Sequence, residues 1–268
     1  MKKNRLIPIL LLKNGWLVQS KNFKDYQNLG NPISAVKRLS QWGSDELIYL
    51  DISSDDNFNI KRNDLNYKNK LTFLEIIKEV SSVTFMPISI GGKIKNLKDV
   101  EDRFKVGADK VTINTAALEK KEFINQIAKE FGSQCLTISI DIREKNKKYI
   151  IYSHGGKKES KYILKDWLKI VEDNGAGEVL INSIDRDGSG KGLDLELLNY
   201  VSNEINIPVI GCGGAGNWED FAEALSKTKI DAVAAANIFH YRDQSIFLSK
   251  KFLFEKKLNV RKPDLIDI

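Results

Sequence analysis

Residues Glu178–Gly192, EVLINSIDRDGSGKG, join an apolar run to a loop of glycine, aspartate and serine. Val179, Leu180, Ile181 and then Ile184 read as a strand buried on both faces, as in a parallel sheet. Glycines in the following loop let backbone N–H groups point into one concavity, which holds a phosphate without a lysine. One helical segment later, Ile207–Gly216, IPVIGCGGAG, repeats the plan with a strand at Pro208–Ile210 followed by Gly211, Gly213, Gly214 and Gly216. Two neighbouring strand ends of this kind predict a shared anion site at the C-terminal edge of a parallel sheet.

The first half of the chain carries the same plan. Gly43–Glu46 leads into LIYLDIS much as Gly175–Glu178 leads into VLINSID, about half of the 268 residues further on. MPISIGGKI (Met86–Ile94) parallels IPVIGCGGAG, and GADKVTINTAA (Gly107–Ala117) parallels KIDAVAAANIF (Lys229–Phe239). Three motifs repeated in one order predict two halves built alike.

Taken in order, strands are expected at Arg5–Leu12, Leu47–Ile52, Ile88–Ile90, Lys110–Ile113, Leu136–Ile142, the Val179 segment, Pro208–Ile210 and Ala232–Ala236. Helices are expected between them: Pro32 to about Trp42, Thr72–Ser81, Lys98–Lys105, Glu122–Phe131, Ile163–Asn174, Leu195–Ile205, Glu219–Ser226 and Ser245–Lys257. Lys13–Asn31 reads as a loop, Ser53–Lys70 as a long polar insertion, and Lys148–Ser153 as part of a hairpin closing at His154-Gly155-Gly156. Eight alternating β/α units predict an α/β fold, a (β/α)8 TIM barrel, as one domain over residues 1–268 with half-barrels of roughly 1–132 and 133–268.

The formal charge of +6 is spread over loops and helix faces. No basic stripe interleaved with aromatics marks a nucleic-acid groove, while the balance suits an anionic, phosphorylated ligand. MKKNRLIPILLL is too short for a signal peptide or span, so a cytoplasmic protein with no membrane partner is expected. Cys135 and Cys212 read as small buried residues. No metal site and no cofactor is expected.

The ordered set RLIPILLLKNG, GSDELIYLDI, GADKVTINTAA, FGSQCLTISID, GAGEVLINSIDRDG, GCGGAG, AANIFHYR and NVR resembles the HisF family, the cyclase subunits of imidazole glycerol phosphate synthase, over nearly the whole chain. The resemblance implies a glutaminase (HisH-like) subunit docked at the N-terminal face of the barrel. Ammonia then travels along the axis to a phosphorylated substrate at the C-terminal face. The family's four-residue charged entrance matches Arg5, Glu46, Lys110 and Glu178, each at or beside a strand start; a salt-bridged plug is the plainer reading of the same charges. Asp109 matches the residue that couples to the glutaminase.

On the upper face the resemblance implies phosphate binding by Gly92, Asn114, Thr115, Asp187, Gly188, Gly213, Gly214, Ala236 and Asn237. Of the family's two catalytic aspartates, one matches Asp141 and the other falls on Leu11, which transfers no proton. Asp51 is a candidate substitute. Gln19, Asn14 and Lys93 are further departures. An intact entrance with an edited active face resembles a divergent branch that accompanies sugar amidotransferases, so the expected role is ammonia delivery for amidation of an acetamido sugar in surface glycan biosynthesis. The alternatives are a working cyclase in histidine biosynthesis and a non-catalytic docking scaffold.

Overall fold

The computed structural model describes residues 2–53 and 72–266. In chain order the strands and helices begin with β1 (Arg5–Lys13), β2 (Trp16–Lys21), β3 (Asp25–Gly30), α1 (Pro32–Gln41), β4 (Leu47–Asp51), α2 (Phe73–Ser81) and β5 (Ile88–Gly91). They continue with α3 (Leu97–Lys105), β6 (Lys110–Ile113), α4 (Thr115–Glu119), α5 (Glu122–Phe131), β7 (Leu136–Lys145), β8 (Lys148–Ser153) and β9 (Lys158–Ile163). The last are α6 (Leu164–Asp173), β10 (Glu178–Ser183), α7 (Leu195–Glu204), β11 (Val209–Cys212), α8 (Trp218–Lys227), β12 (Ala232–Ala235) and α9 (Ser245–Glu255).

Eight of these strands are parallel and close on themselves in the order β1-β4-β5-β6-β7-β10-β11-β12, with β12 returning to β1. The sheet is a closed (β/α)8 barrel. Alternation along each strand sorts the side chains into two apolar clusters. Ile7, Ile9, Ile48, Leu180, Ile210, Cys212, Ala232 and Ala234 fill the barrel, with Leu11, Leu50 and Ala236 against them. Leu6, Leu10, Leu12, Leu47, Tyr49 and Val179 belong to the larger cluster between sheet and helices. The fully buried strands β5, β11 and β12 have no polar outer face because helices cover it.

Local chemistry explains the helix starts. The glycine loops after β5 and β11 both end in an asparagine that caps a helix. Asn96 accepts from Asp99 N, Asn217 accepts from Asp220 N, and each aspartate side chain answers the cap backbone. Thr72 and Glu75 make the same reciprocal pair at α2.

One local expectation is corrected, the hairpin read as closing at His154-Gly155-Gly156 is present, and one short helix is added. Lys13–Asn31 is not a loop but a β-hairpin extension of β1, with Lys13 opposite Trp16. Asn14 and Gly15 both have positive φ, 51° and 81°, the backbone of a two-residue hairpin turn. Lys158–Ile163 forms β9 against β8, and Thr115–Glu119 forms the short helix α4. The insertion read at Ser53–Lys70 lies, apart from Ser53, outside the described residues. Among the described residues no helix is long and apolar enough to cross a membrane.

Candidate functional site

The N-terminal mouth of the barrel holds a closed ring of alternating charge. Arg5 donates through Nη1 to Glu46 Oε2 at 2.8 Å and through Nη2 to Glu178 Oε1. Lys110 Nζ donates to Glu46 Oε1 and Oε2 at 2.9 and 3.0 Å and to Glu178 Oε2 at 3.3 Å. Each side chain is delivered by the first residue of a strand, or the one before it, on the lumen-facing register. Burial opposes the Arg5 charge, but Glu178 and then Glu46 outweigh it and hold the guanidinium pKa above its ordinary value. The four residues expected to converge do converge.

Asp109, beside the ring, is exposed. Its Oδ2 accepts the Ile88 N–H at 2.8 Å. Asp45 does the same for Leu6 N, and Asp231 for Val209 N. An aspartate one or two residues before a barrel strand thus accepts from the first or second N–H of the preceding barrel strand three times around the mouth. Asp109 therefore has a structural task besides any role toward a partner.

Above the ring, one sector of the lumen wall carries hydroxyls. Thr137, Ser139 and Asp141 stand in register with Glu178, Leu180 and Asn182 on the neighbouring strand, and the Ser89 and Thr112 hydroxyls are 2.7 Å apart. The opposite wall, from β1, β4, β11 and β12, is apolar. Leu11 lies in that wall, in register with Leu50.

Asp141 closes the hydroxyl sector at the upper end. Asn114 Nδ2 donates to its Oδ2 at 3.1 Å and Ser139 Oγ to its Oδ1 at 3.3 Å. Burial dominates its titration and pushes the carboxyl up to about 7. Ser139 and Asn182 pull it back in part, and the charge of Asp187 adds to the rise. The buried Oδ1 atoms of Asn114 and Asn182 have no hydrogen-bond partner, so acceptors beside Asp141 remain for a polar ligand. Burial also raises the Cys212 thiol, and both cysteines are free.

The phosphate candidates fall into two groups. Gly92, Gly213 and Gly214 are required by close backbone approach: a Cβ would meet Asp51 O at 2.2 Å, Ser183 O at 2.6 Å and Gly192 O at 2.2 Å respectively. They let the loops fold tightly over the strand ends. Other candidates spend their side chains on the structure. Asp187 accepts from Ser20 Oγ at 2.8 Å and Phe23 N at 3.2 Å, Asn237 Nδ2 donates to Ser20 O, and Gly188 leaves room for the same carbonyl. Together they fasten the β2–β3 hairpin across the top of β10. Thr115 Oγ1 likewise accepts from His154 N at the β8–β9 turn. Ala236 lines the lumen.

Replacing Asp187 with alanine should release the hairpin. Ser20–Phe23 amides are expected to exchange at least tenfold faster, with a global stability loss of about 1–3 kcal/mol. Unchanged protection at those amides would show the hairpin is held otherwise.

Asp51 does not share the lumen with Asp141. It pairs with Leu12, which belongs to the outer cluster, while the lumen position on this strand is Leu50. Its Oδ1 accepts Ser53 N at 2.9 Å and its Oδ2 lies 3.7 Å from Lys93 Nζ. That placement suits a loop anchor and gives no support to Asp51 as the missing proton-transfer group.

Residues 5–245 match the family model described as "Histidine biosynthesis protein". The chain is 42% identical over 262 residues to the "Imidazole glycerol phosphate synthase subunit HisF" of Dictyoglomus thermophilum, covering 97% of this chain and 99% of that one. Proteins of the same description from Bacillus pumilus and Chlorobaculum tepidum are 38% and 37% identical, each over 97% of this chain and the whole of the relative.

Proposed function

We propose, on the premise that this chain belongs to the histidine biosynthesis protein family and within it to the HisF subunits of imidazole glycerol phosphate synthase, that it is the ammonia-using half of a glutamine amidotransferase pair. A glutaminase subunit docks at the mouth ringed by Arg5, Glu46, Lys110 and Glu178, with Asp109 at the contact. Ammonia crosses the lumen and adds to a phosphorylated ribonucleotide held by the glycine loops, and an imidazole ring closes. The names of the relatives favour this histidine-pathway reading over delivery to an acetamido sugar.

One observation carries it: a single register of lumen residues runs from the charged ring to Asp141. Addition of ammonia to a carbonyl carbon requires a proton delivered to oxygen and one removed from nitrogen. A carboxyl with a pKa of about 7 is populated in both forms at neutral pH and can serve each step in turn. Ordinary aspartates are ionised there and cannot donate. With Leu11 opposite, Asp141 carries both duties.

A second reading rests on Leu11 alone. Without the other carboxylate, the barrel conducts ammonia to an acetamido sugar through a sugar amidotransferase and turns over no ribonucleotide. The two readings separate when the purified chain is given the cyclase's ribonucleotide substrate with an ammonium salt. Imidazole product is expected, and Leu11→Asp should raise its rate tenfold or more. No product from either protein would overturn the first reading and leave the second.

A further inference from the structure

The two glycine loops differ in charge at two positions, Lys93 and the exposed Lys95 standing where the second loop has Gly214 and Gly216, and Lys93 is the one that reaches a buried carboxylate. Counting back from the capping residues Asn96 and Asn217, Gly92 corresponds to Gly213 and Lys93 to Gly214. All four have positive φ: 98° and 96° for the first pair, 54° and 103° for the second. A side chain in the left-handed region is strained, so Lys93 is held there against its backbone preference.

The surroundings give that lysine a setting. Its Nζ lies 3.7 Å from Asp51 Oδ2, and the Asp51 side chain is only 2% exposed while that of Lys93 is 24% exposed. Arg103, 7% exposed, reaches the same loop from α3. Its Nη2 donates to Gly92 O at 2.9 Å and its Nη1 to Asp99 O at 2.8 Å, while its buried Nε has no hydrogen-bond partner. Two cations therefore gather around Gly92, Lys93 paired with the Asp51 carboxylate and Arg103 bound to the Gly92 carbonyl. Asp51 is fixed by Ser53 N and cannot move outward, whereas the lysine stem has four rotatable bonds and a solvent-facing end.

We infer that Lys93 is a phosphate ligand of this barrel: its ammonium, paired here with Asp51, passes to the phosphate of a sugar-phosphate substrate seated at Gly92, so that Asp51 and substrate compete for one cation. This rests on the phosphate reading of the glycine loops. Arg103 is the fixed partner that holds the Gly92 carbonyl and keeps the loop positive when Lys93 changes contact. The first loop then binds through a side chain what the second binds through backbone alone, and affinity at the first loop depends on the Asp51 charge.

The test is calorimetric titration of the whole chain with ribulose 1,5-bisphosphate, a two-phosphate probe, and with inorganic phosphate. Lys93→Gly relaxes the backbone, and Lys93→Met removes the charge while leaving the strain; both should bind the bisphosphate about tenfold more weakly. Asp51→Asn keeps an acceptor for Ser53 N and should bind it several-fold more tightly. The double variant Asp51→Asn with Lys93→Met should match Lys93→Met. Wild-type binding with both lysine variants within twofold of it, or weaker binding by Asp51→Asn, overturns the inference and spares the phosphate reading. Failure of the wild type to bind either probe overturns both.

Discussion

Asp141→Asn is expected to lower synthase turnover by about 10²–10⁴-fold, with glutamine or free ammonium as the nitrogen source. The same change should make the protein more stable at pH 8. Both effects come from the burial that lifts the carboxyl from 3.8 to about 7. In the unfolded chain this group loses its proton near its ordinary pKa, while the folded barrel retains it. Between the two values the folded state binds more protons, so stability falls as pH rises from about 4 to about 7 and stays reduced above that. The gap corresponds to on the order of 4 kcal/mol as an upper limit. Asparagine cannot ionise and escapes this loss. Melting temperatures of the two proteins should coincide near pH 4 and diverge in favour of the variant at pH 8. Wild-type turnover should follow one ionisation near pH 7. A variant that is less stable at pH 8, or that keeps its turnover, would remove Asp141 from the centre of the chemistry.

The sequence revealed the barrel because its strands are short apolar runs and its helices have caps, both set by neighbours in the chain. Lys110–Ile113 and Glu122–Phe131 match the structure at both ends. The β2–β3 hairpin was missed although its signal was present: Asn14-Gly15 is the dipeptide that a two-residue hairpin turn requires. The return strand Lys158–Ile163 is marked by its turn, His154-Gly155-Gly156, and not by its own residues, because among the described residues it pairs with β8 alone at the margin of the sheet and has little apolar surface to bury. The ring was legible since each member sits at a strand start, where register fixes direction. Asp51 misled for the converse reason. It stands at a strand end like Asp141, but alternation turns it to the outer face, and only pairing with Leu12 shows which face that is. The structural partners of Asp187 and Thr115, which the resemblance places at the phosphate, could not be read from the sequence, as Phe23 and His154 come from segments far along the chain.

Lys110→Met should uncouple the two halves of the reaction. In the ring Lys110 contributes the longest contact, 3.3 Å to Glu178, and is the most exposed of the four side chains. Opening that one contact parts the ring while Arg5 still bridges Glu46 and Glu178. On the proposed route ammonia enters as neutral NH₃, and the Lys110–Glu178 contact, the longest in the ring, is the one that would open to admit it. Methionine keeps the stem and removes the charge, which leaves two buried carboxylates served by Arg5 alone. A stability loss of about 1–3 kcal/mol is expected, below the 3–5 of a fully buried pair because Lys110 retains solvent contact. With a glutaminase partner bound, product formed per glutamine hydrolysed should fall several-fold. The rate with saturating external ammonium should stay within twofold, since that ammonia can enter from the substrate face. If both nitrogen sources fall together, or neither does, the ring is a structural plug and ammonia enters elsewhere. The ratio of the two rates is the quantity to measure, since lost stability lowers both alike and only a gate changes one against the other.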